Sequence, residues 1–220
     1  MVASPQSDPF TSARLDMVET QIRARGINSA RVLDAMSRVP RHEFVPLARR
    51  AEAYEDHPIP IGEAQTISQP LIVAVALQFL LLQPTDRVLE VGTGSGYQTA
   101  LLAELSEHVY SVERHASLAE AAQRALLRLG YNNVTITTGD GSRGLADHAP
   151  FDAIVVSAAA PHIPASLFEQ LKEAGRMVIP VGPEEAQQLQ LVEKKNGAPV
   201  ITVLEPCRFV PLIGQEAYQR

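Results

Sequence analysis

The chain has 220 residues, enough for one well-packed α/β domain with a small extension and short for two. Its composition, 45% hydrophobic and 20% charged, is that of a globular chain rather than a disordered one. With 25 acidic residues against 19 basic, a formal charge of -6 and no Lys/Arg run, duplex binding driven by phosphate neutralisation is disfavoured, any nucleic acid would have to be gripped locally, and no nucleic-acid partner is expected.

The opening MVASPQSDPF lacks the basic and apolar blocks of a signal peptide, which points to a cytoplasmic protein. Leu15, Val18 and Ile22 then fall on one helical face, and Gly26 can end that helix. Asn28 or Ser29 can cap a second helix carrying Val32, Leu33, Met36 and Val39, which stops at Pro40. A long segment without sustained period runs from there to Pro70; loops of this length are uncommon unless functional, and Phe44 and Tyr54 predict that this one packs. Ser68 or Gln69 can cap a helix from Pro70 through Leu82. That apolar run falls short of the ~20 residues a bilayer requires, so no membrane partner is expected.

From Arg87 the pattern changes to short apolar runs alternating with helical stretches. RVLEVG, HVYSVE, NVTITTGD, FDAIVVSA and GRMVIPVG read as strands; SGYQTALLAEL, SLAEAAQRALLRLG and IPASLFEQLKE read as helices. This alternation predicts an α/β fold, a doubly wound and mostly parallel sheet. The tail predicts an antiparallel hairpin around Asn196-Gly197 and a further strand, with RFVPLIG outside the regular sheet. Cys207, the single cysteine, forms no intramolecular disulfide, and with six scattered histidines it gives no zinc cluster, so no metal is expected.

The most informative motif is Glu90-Val91-Gly92-Thr93-Gly94-Ser95-Gly96, where the first strand of this series turns into its helix. Glycines there let backbone approach a ligand closely, and open amides at a helix start favour polar groups. A dinucleotide fingerprint needs glycine at position 97, where Tyr97 stands, so nicotinamide chemistry is disfavoured. An acidic residue at the strand end suits a cationic sulfonium or ammonium better than a pyrophosphate. Glu113 closes the second strand, where a carboxylate can accept from ribose hydroxyls, and Asp140-Gly141 ends the third, where it can accept from an adenine amino group. Each also has a plain structural reading, as a solvated carboxylate or an Asp-Gly turn. Together they mark the ligand-binding edge of such a sheet.

On these residues the sequence resembles the class I S-adenosylmethionine-dependent methyltransferases, with their Rossmann-like sheet. The likeness sharpens to the protein-L-isoaspartate O-methyltransferases in YEDHPIPIGEAQTISQP (Tyr54 to Pro70), VLEVGTGSGYQTA (Val88 to Ala100), GDGSRG (Gly139 to Gly144), FDAIVVSAAAPHIP (Phe151 to Pro164), GRMVIPVG (Gly175 to Gly182) and RFVPLIG (Arg208 to Gly214). Ala64 departs from it, standing where the family typically has glycine. The resemblance implies one methyltransferase domain over 1–220: N-terminal helices and an acceptor loop (1–83), a cofactor-binding core (84–183) and C-terminal antiparallel strands (184–220). It implies S-adenosyl-L-methionine as cofactor, held by Thr66, Ile67, Ser68, Glu90, Gly92, Thr93, Gly94, Ser95, Gly96, Glu113, Asp140 and Gly141. Ser68 is implied as the catalytic residue, with Ile61, Gln65, Arg208 and Val210 against the substrate. The expected activity is methylation of the free α-carboxylate of isoaspartyl residues in proteins and peptides by a monomeric enzyme, followed by succinimide formation and return of some normal aspartate.

Ser68 has a structural reading as well, as a cap of the helix from Pro70. Asp56 and His57 read as structural or solvent-exposed, and His162 as a bystander near the catalytic edge. Arg41 could hold a peptide carboxylate, although a surface ion pair is the commoner fate. No G-x-S-x-G elbow marks Ser68 as a hydrolase nucleophile. Two competing functions remain at this level: methylation of a small-molecule acceptor, and a non-catalytic module that binds the cofactor.

Overall fold

The computed structural model describes residues 8–219. Helix α1 (Thr11–Asp16) continues as a π-helical turn over Met17–Ile22 and a short 3-10 turn that ends at Gly26, left-handed at φ 95°. The wider turn rotates the buried face. Met17, Val18 and Ile22 are buried, while Leu15, expected inside, is 46% exposed. In α2 (Ala30–Arg38) the expected face is buried and Ser29 is the N-cap, yet its side chain makes no capping bond. The backbone N–H groups of Asn28 and Ser29 instead donate to Gln78 Oε1, at 2.8 and 3.1 Å.

The segment after Pro40 packs, as Phe44 and Tyr54 predict, but it is not structureless. Two 3-10 turns lead to a small antiparallel hairpin of β1 (Ile59–Gly62) and β2 (Gln65–Ile67). Its tip holds Glu63 and Ala64 at φ 51° and 55°. Ala64 thus adopts the left-handed conformation that glycine takes without a Cβ clash, at a cost of about 1–2 kcal/mol. Helix α3 (Pro70–Leu80) stops two residues before the expected end, at a left-handed Leu81.

A seven-stranded sheet follows in the order β5-β4-β3-β6-β7-β8-β9. The strands β3 (Arg87–Val91), β4 (His108–Glu113), β5 (Val134–Thr138), β6 (Phe151–Val156) and β7 (Leu171–Val181) are parallel, joined by α4 (Tyr97–Leu105), α5 (Ala116–Arg128) and α6 (Ala165–Gln170). The last helix is shorter than expected, because the chain already pairs with β6 at Leu171↔Phe151. Strands β8 (Gln187–Lys195) and β9 (Ala198–Cys207) add antiparallel, with Asn196 and Gly197 both at positive φ in the two-residue turn. RFVPLIG lies outside the regular sheet, as expected: Arg208–Gly214 runs extended and meets the segment after β6 through an isolated bridge, Ala159↔Pro211.

The two faces of the sheet are covered unequally. On one, Val88, Val109, Val155 and Val178 pack under α2, α3, α4 and part of α5. On the other, Leu89, Val91, Ile154 and Met177 meet α6 and Leu212 of the tail. Strands buried on both faces explain the continuous apolar runs in the sequence. No described helix is long and apolar enough to cross a membrane. The order in which strands are added reverses between the parallel neighbours β3 and β6, and a crevice opens beyond their carboxyl ends, the position at which such sheets bind ligands.

Candidate active site

A cleft of about 1070 Å³ occupies that crevice. Its floor is the turn after β3. Gly92, Gly94 and Gly96 sit at φ 94°, 53° and 89°, so the turn takes a path that side-chain-bearing residues rarely follow. Gly92 to Ser95 face the cleft. Gly96 does not; it lies against α5, where an added Cβ would come within 3.2 Å of Ala122 Cβ. Thr93 is buried and shares a 2.6 Å hydrogen bond with Ser111.

Glu90 lies behind this turn rather than in the cleft. It is fully buried, accepting from Thr99 Oγ1 at 2.5 Å, Ser111 Oγ at 2.7 Å and Gln98 Nε2 at 3.1 Å. Burial pushes its carboxyl up to about 7, against the pull of those three donors. The expectation that Glu90 faces a cationic ligand directly is therefore corrected. Its contact with the cleft runs through Gln98, which also donates to Ser157 Oγ at 2.8 Å. Sequence reading missed Gln98 and Ser157, although Ser157 follows the fourth predicted strand, where the same edge rule would have found it.

Glu113 does reach the cleft. Its Oε2 accepts from the Gly94 N–H at 2.9 Å and its Oε1 from the His115 N–H at 3.0 Å, fixing the carboxylate beside the glycine turn. Gly141 lines the cleft at the end of β5, where a Cβ would fall 2.5 Å from Val91 Cγ1. Asp140 beside it is turned to another task, and the expected adenine contact is corrected. Its Oδ1 accepts from Ser142, and its Oδ2 from the Gln215 N–H at 2.8 Å, pinning the C-terminal segment. Those bonds outweigh burial and hold the Asp140 carboxyl below its usual range.

The opposite wall comes from the two ends of the chain. Gln65, Thr66, Ile67 and Ser68 line it from the hairpin side, and Cys207, Arg208 and Val210 from the tail. The tail is laced to the strand edge by Ala159 N–H to Val210 O at 2.8 Å and Leu212 N–H to Ala159 O at 2.7 Å. The hairpin tip is tied across the cleft mouth by Ser117 Oγ donating to Glu63 at 2.7 Å. Gln69, not Ser68, is the N-cap of α3, and the Ser68 hydroxyl has no hydrogen-bond partner among the described residues. The capping reading of Ser68 thus fails. Ile61, expected against the substrate, packs instead in a separate pocket of about 230 Å³ behind Gly94 and Ser95.

Asp56 and His57 are structural, as read. Asp56 pairs with Arg25 at 2.6 Å and accepts from Gln69; the exposed His57 meets Glu55 at 2.9 Å. His162 is exposed and outside the cleft. Arg41 fits neither of its expected readings. It is wholly buried, donating from Nε to Ala53 O at 2.7 Å and from Nη2 to Ser68 O at 2.9 Å. Among the described residues no group of three His, Cys, Asp or Glu is arranged to hold a metal.

The residues present suit an adenosyl sulfonium compound. The glycine turn leaves room for a backbone approach, Glu113 offers a fixed carboxylate to paired hydroxyls, and Gly141, packed tightly on Val91, lines the far end. Comparison with known proteins agrees. Residues 12–217 match the sequence profile of the protein-L-isoaspartate(D-aspartate) O-methyltransferase family. A protein-L-isoaspartate O-methyltransferase of Koribacter versatilis is 54% identical, over 99% of this chain and 98% of its own length. Its counterpart in Methanoculleus marisnigri is 52% identical over 97% of both chains. Among solved structures, a putative protein-L-isoaspartate O-methyltransferase from Plasmodium falciparum, in complex with S-adenosyl-L-homocysteine, superposes with a TM-score of 0.80 at 28% identity, covering 91% of this chain and 98% of that one.

Proposed function

The chain belongs to the protein-L-isoaspartate(D-aspartate) O-methyltransferase family, and from that premise we propose that it methylates the free α-carboxylate of L-isoaspartyl residues in damaged proteins and peptides, using S-adenosyl-L-methionine. The cofactor, when bound, supplies an electrophilic methyl group on a sulfonium. The Gly92–Ser95 turn, Glu113 and Gly141 would hold it, with Thr66, Ile67 and Ser68 closing over it from the hairpin side. We read the protein as a cytoplasmic monomer that uses neither nucleic acid nor membrane.

The observation that carries the reading is a partnerless serine hydroxyl facing a glycine turn and a fixed carboxylate across one cleft. An acceptor carboxylate is already ionised at pH 7, so no general base is required of the protein. Ser68 need only donate one hydrogen bond that aims the carboxylate. Charge is lost on the way to the transition state, so shielding from water favours transfer, and the hairpin and the Arg208–Ile213 segment line the cleft where an acceptor would have to be shielded. Extended peptides can be gripped there through main-chain hydrogen bonds, with little demand on side-chain identity.

An isoaspartyl linkage adds one backbone methylene and leaves the carboxylate on the α-carbon, so only geometry separates it from aspartate. Misplacement by about 1 Å can cost ~100-fold in rate, and a preference of that order is expected. Methyl transfer to matched isoaspartyl and aspartyl peptides tests it. Comparable kcat/KM for the two would reject the substrate, and cofactor binding without turnover on either would leave only a binding module.

A further inference from the structure

Arg41 is a costly residue to bury. Its guanidinium is fully enclosed, no carboxylate of the described residues pairs with it, and its Nη1 finds no hydrogen-bond partner. Removing an ionised group from water costs several kcal/mol unless geometry compensates, and an apolar side chain of like volume is often neutral or stabilising in such a place. Burial brings its pKa down to about 10, which still leaves a cation at neutral pH. What the arginine does, and an apolar residue cannot, is bridge. Its fork joins the carbonyls of Ala53 and Ser68 and rests on the ring of Tyr97, 4.9 Å from the centroid. Tyr97 opens α4, directly after the glycine turn. One side chain therefore ties the acceptor serine to the helix that carries the cofactor turn.

We propose that Arg41 is a positioning residue for methyl transfer, holding the Ser68 peptide so that the hydroxyl faces the acceptor carboxylate. The planar fork matters because an ammonium cannot span two carbonyls in fixed directions. The Ser68 side chain is free, and while Ile67 before it pairs with Ile59 and Gln69 after it caps α3 by accepting from Val73 N–H at 3.3 Å, it is Arg41 that holds the carbonyl of Ser68 itself. The cation behind Ser68 also favours an anionic acceptor in front of it, since a charge in the interior is weakly screened.

The proposal rests on the role given to Ser68 above, and a double-mutant cycle separates the two. Arg41→Met and Arg41→Lys are made alone and in Ser68→Ala, with kcat expressed per cofactor-binding site counted by calorimetric titration. Arg41→Met is expected to lower kcat about tenfold with cofactor affinity within about twofold, as a loosened but present hydroxyl would. Arg41→Lys loses less. In Ser68→Ala, either substitution adds less than about twofold, because Arg41 acts through Ser68. Full kcat per site in the Arg41 variants, or losses that multiply with Ser68→Ala, would overturn the proposal. Where Arg41→Met binds no cofactor, Arg41→Lys is judged by the same two criteria. Normal turnover of Ser68→Ala alone would instead sink the functional reading and leave the buried fork a structural tie.

Discussion

The two walls of the cleft are built by opposite means. On the side proposed to hold the cofactor, Gly92, Glu113 and Gly141 stand at the ends of β3, β4 and β5, neighbouring parallel strands whose pairing fixes the spacing of the three. On the side proposed to hold the acceptor, Ser68 and Val210 come from segments far apart in the chain that have little regular structure. The first wall gains its precision from a ladder of backbone bonds. The second gains it from single side chains: Glu63 reaching Ser117, Asp140 reaching Gln215, Arg41 reaching Ser68. Substitutions on the first wall should therefore register in stability and cofactor affinity, and those on the second in turnover.

The largest effect is expected from Glu90, beneath the cofactor wall. Its carboxyl rises from 4.5 to about 7 on burial, so below about pH 4.5 it is protonated in folded and unfolded chains alike. Above that, the unfolded chain releases the proton first, and stability falls by about 3 kcal/mol as pH climbs to about 7. Urea unfolding from roughly pH 4 to 8 should show this slope in the wild type and lose it in Glu90→Gln. Equal slopes in the two would mean that Glu90 is ionised throughout. Next comes Ser68→Ala, which should lower kcat by about 100-fold while leaving cofactor affinity within a few-fold. A comparable loss of cofactor affinity would erase the division between the walls. Glu113→Ala should do the converse, weakening the cofactor by about 1.5–3 kcal/mol in calorimetry, the range for hydrogen bonds to a charged group. The smallest effect is none at all: a chelator should leave turnover unchanged, and recovery of chelator-lost activity by added metal would reveal an unsuspected site.

The same division governs what could be read from the sequence. The cofactor wall was legible because each element is local: a glycine turn, an acid closing a strand, a Gly after a strand, all within a few residues of an apolar run. The Asn196-Gly197 hairpin was legible for that reason too, its two positive φ angles being written into two residues. The β1–β2 hairpin was not, since strands of 4 and 3 residues broken by Pro60 carry no usable period. Leu15 was misplaced because a π-helical turn leaves no mark in a 3.6-residue pattern. Asp140 was given to the cofactor because nothing near it in the chain announces Gln215. Arg41 was sent to the surface because arginine usually goes there, and its burial depends on carbonyls 12 and 27 residues away.

Cys207, at the end of β9 in the cleft wall, bears on how long such an enzyme lasts in service. Burial pushes its thiol up to about 11, so at pH 7 roughly one molecule in ten thousand carries the thiolate that peroxides and alkylating agents attack. With its single sulfhydryl held protonated, the protein carries no readily oxidised or alkylated thiol in its cleft, and iodoacetamide should leave it working.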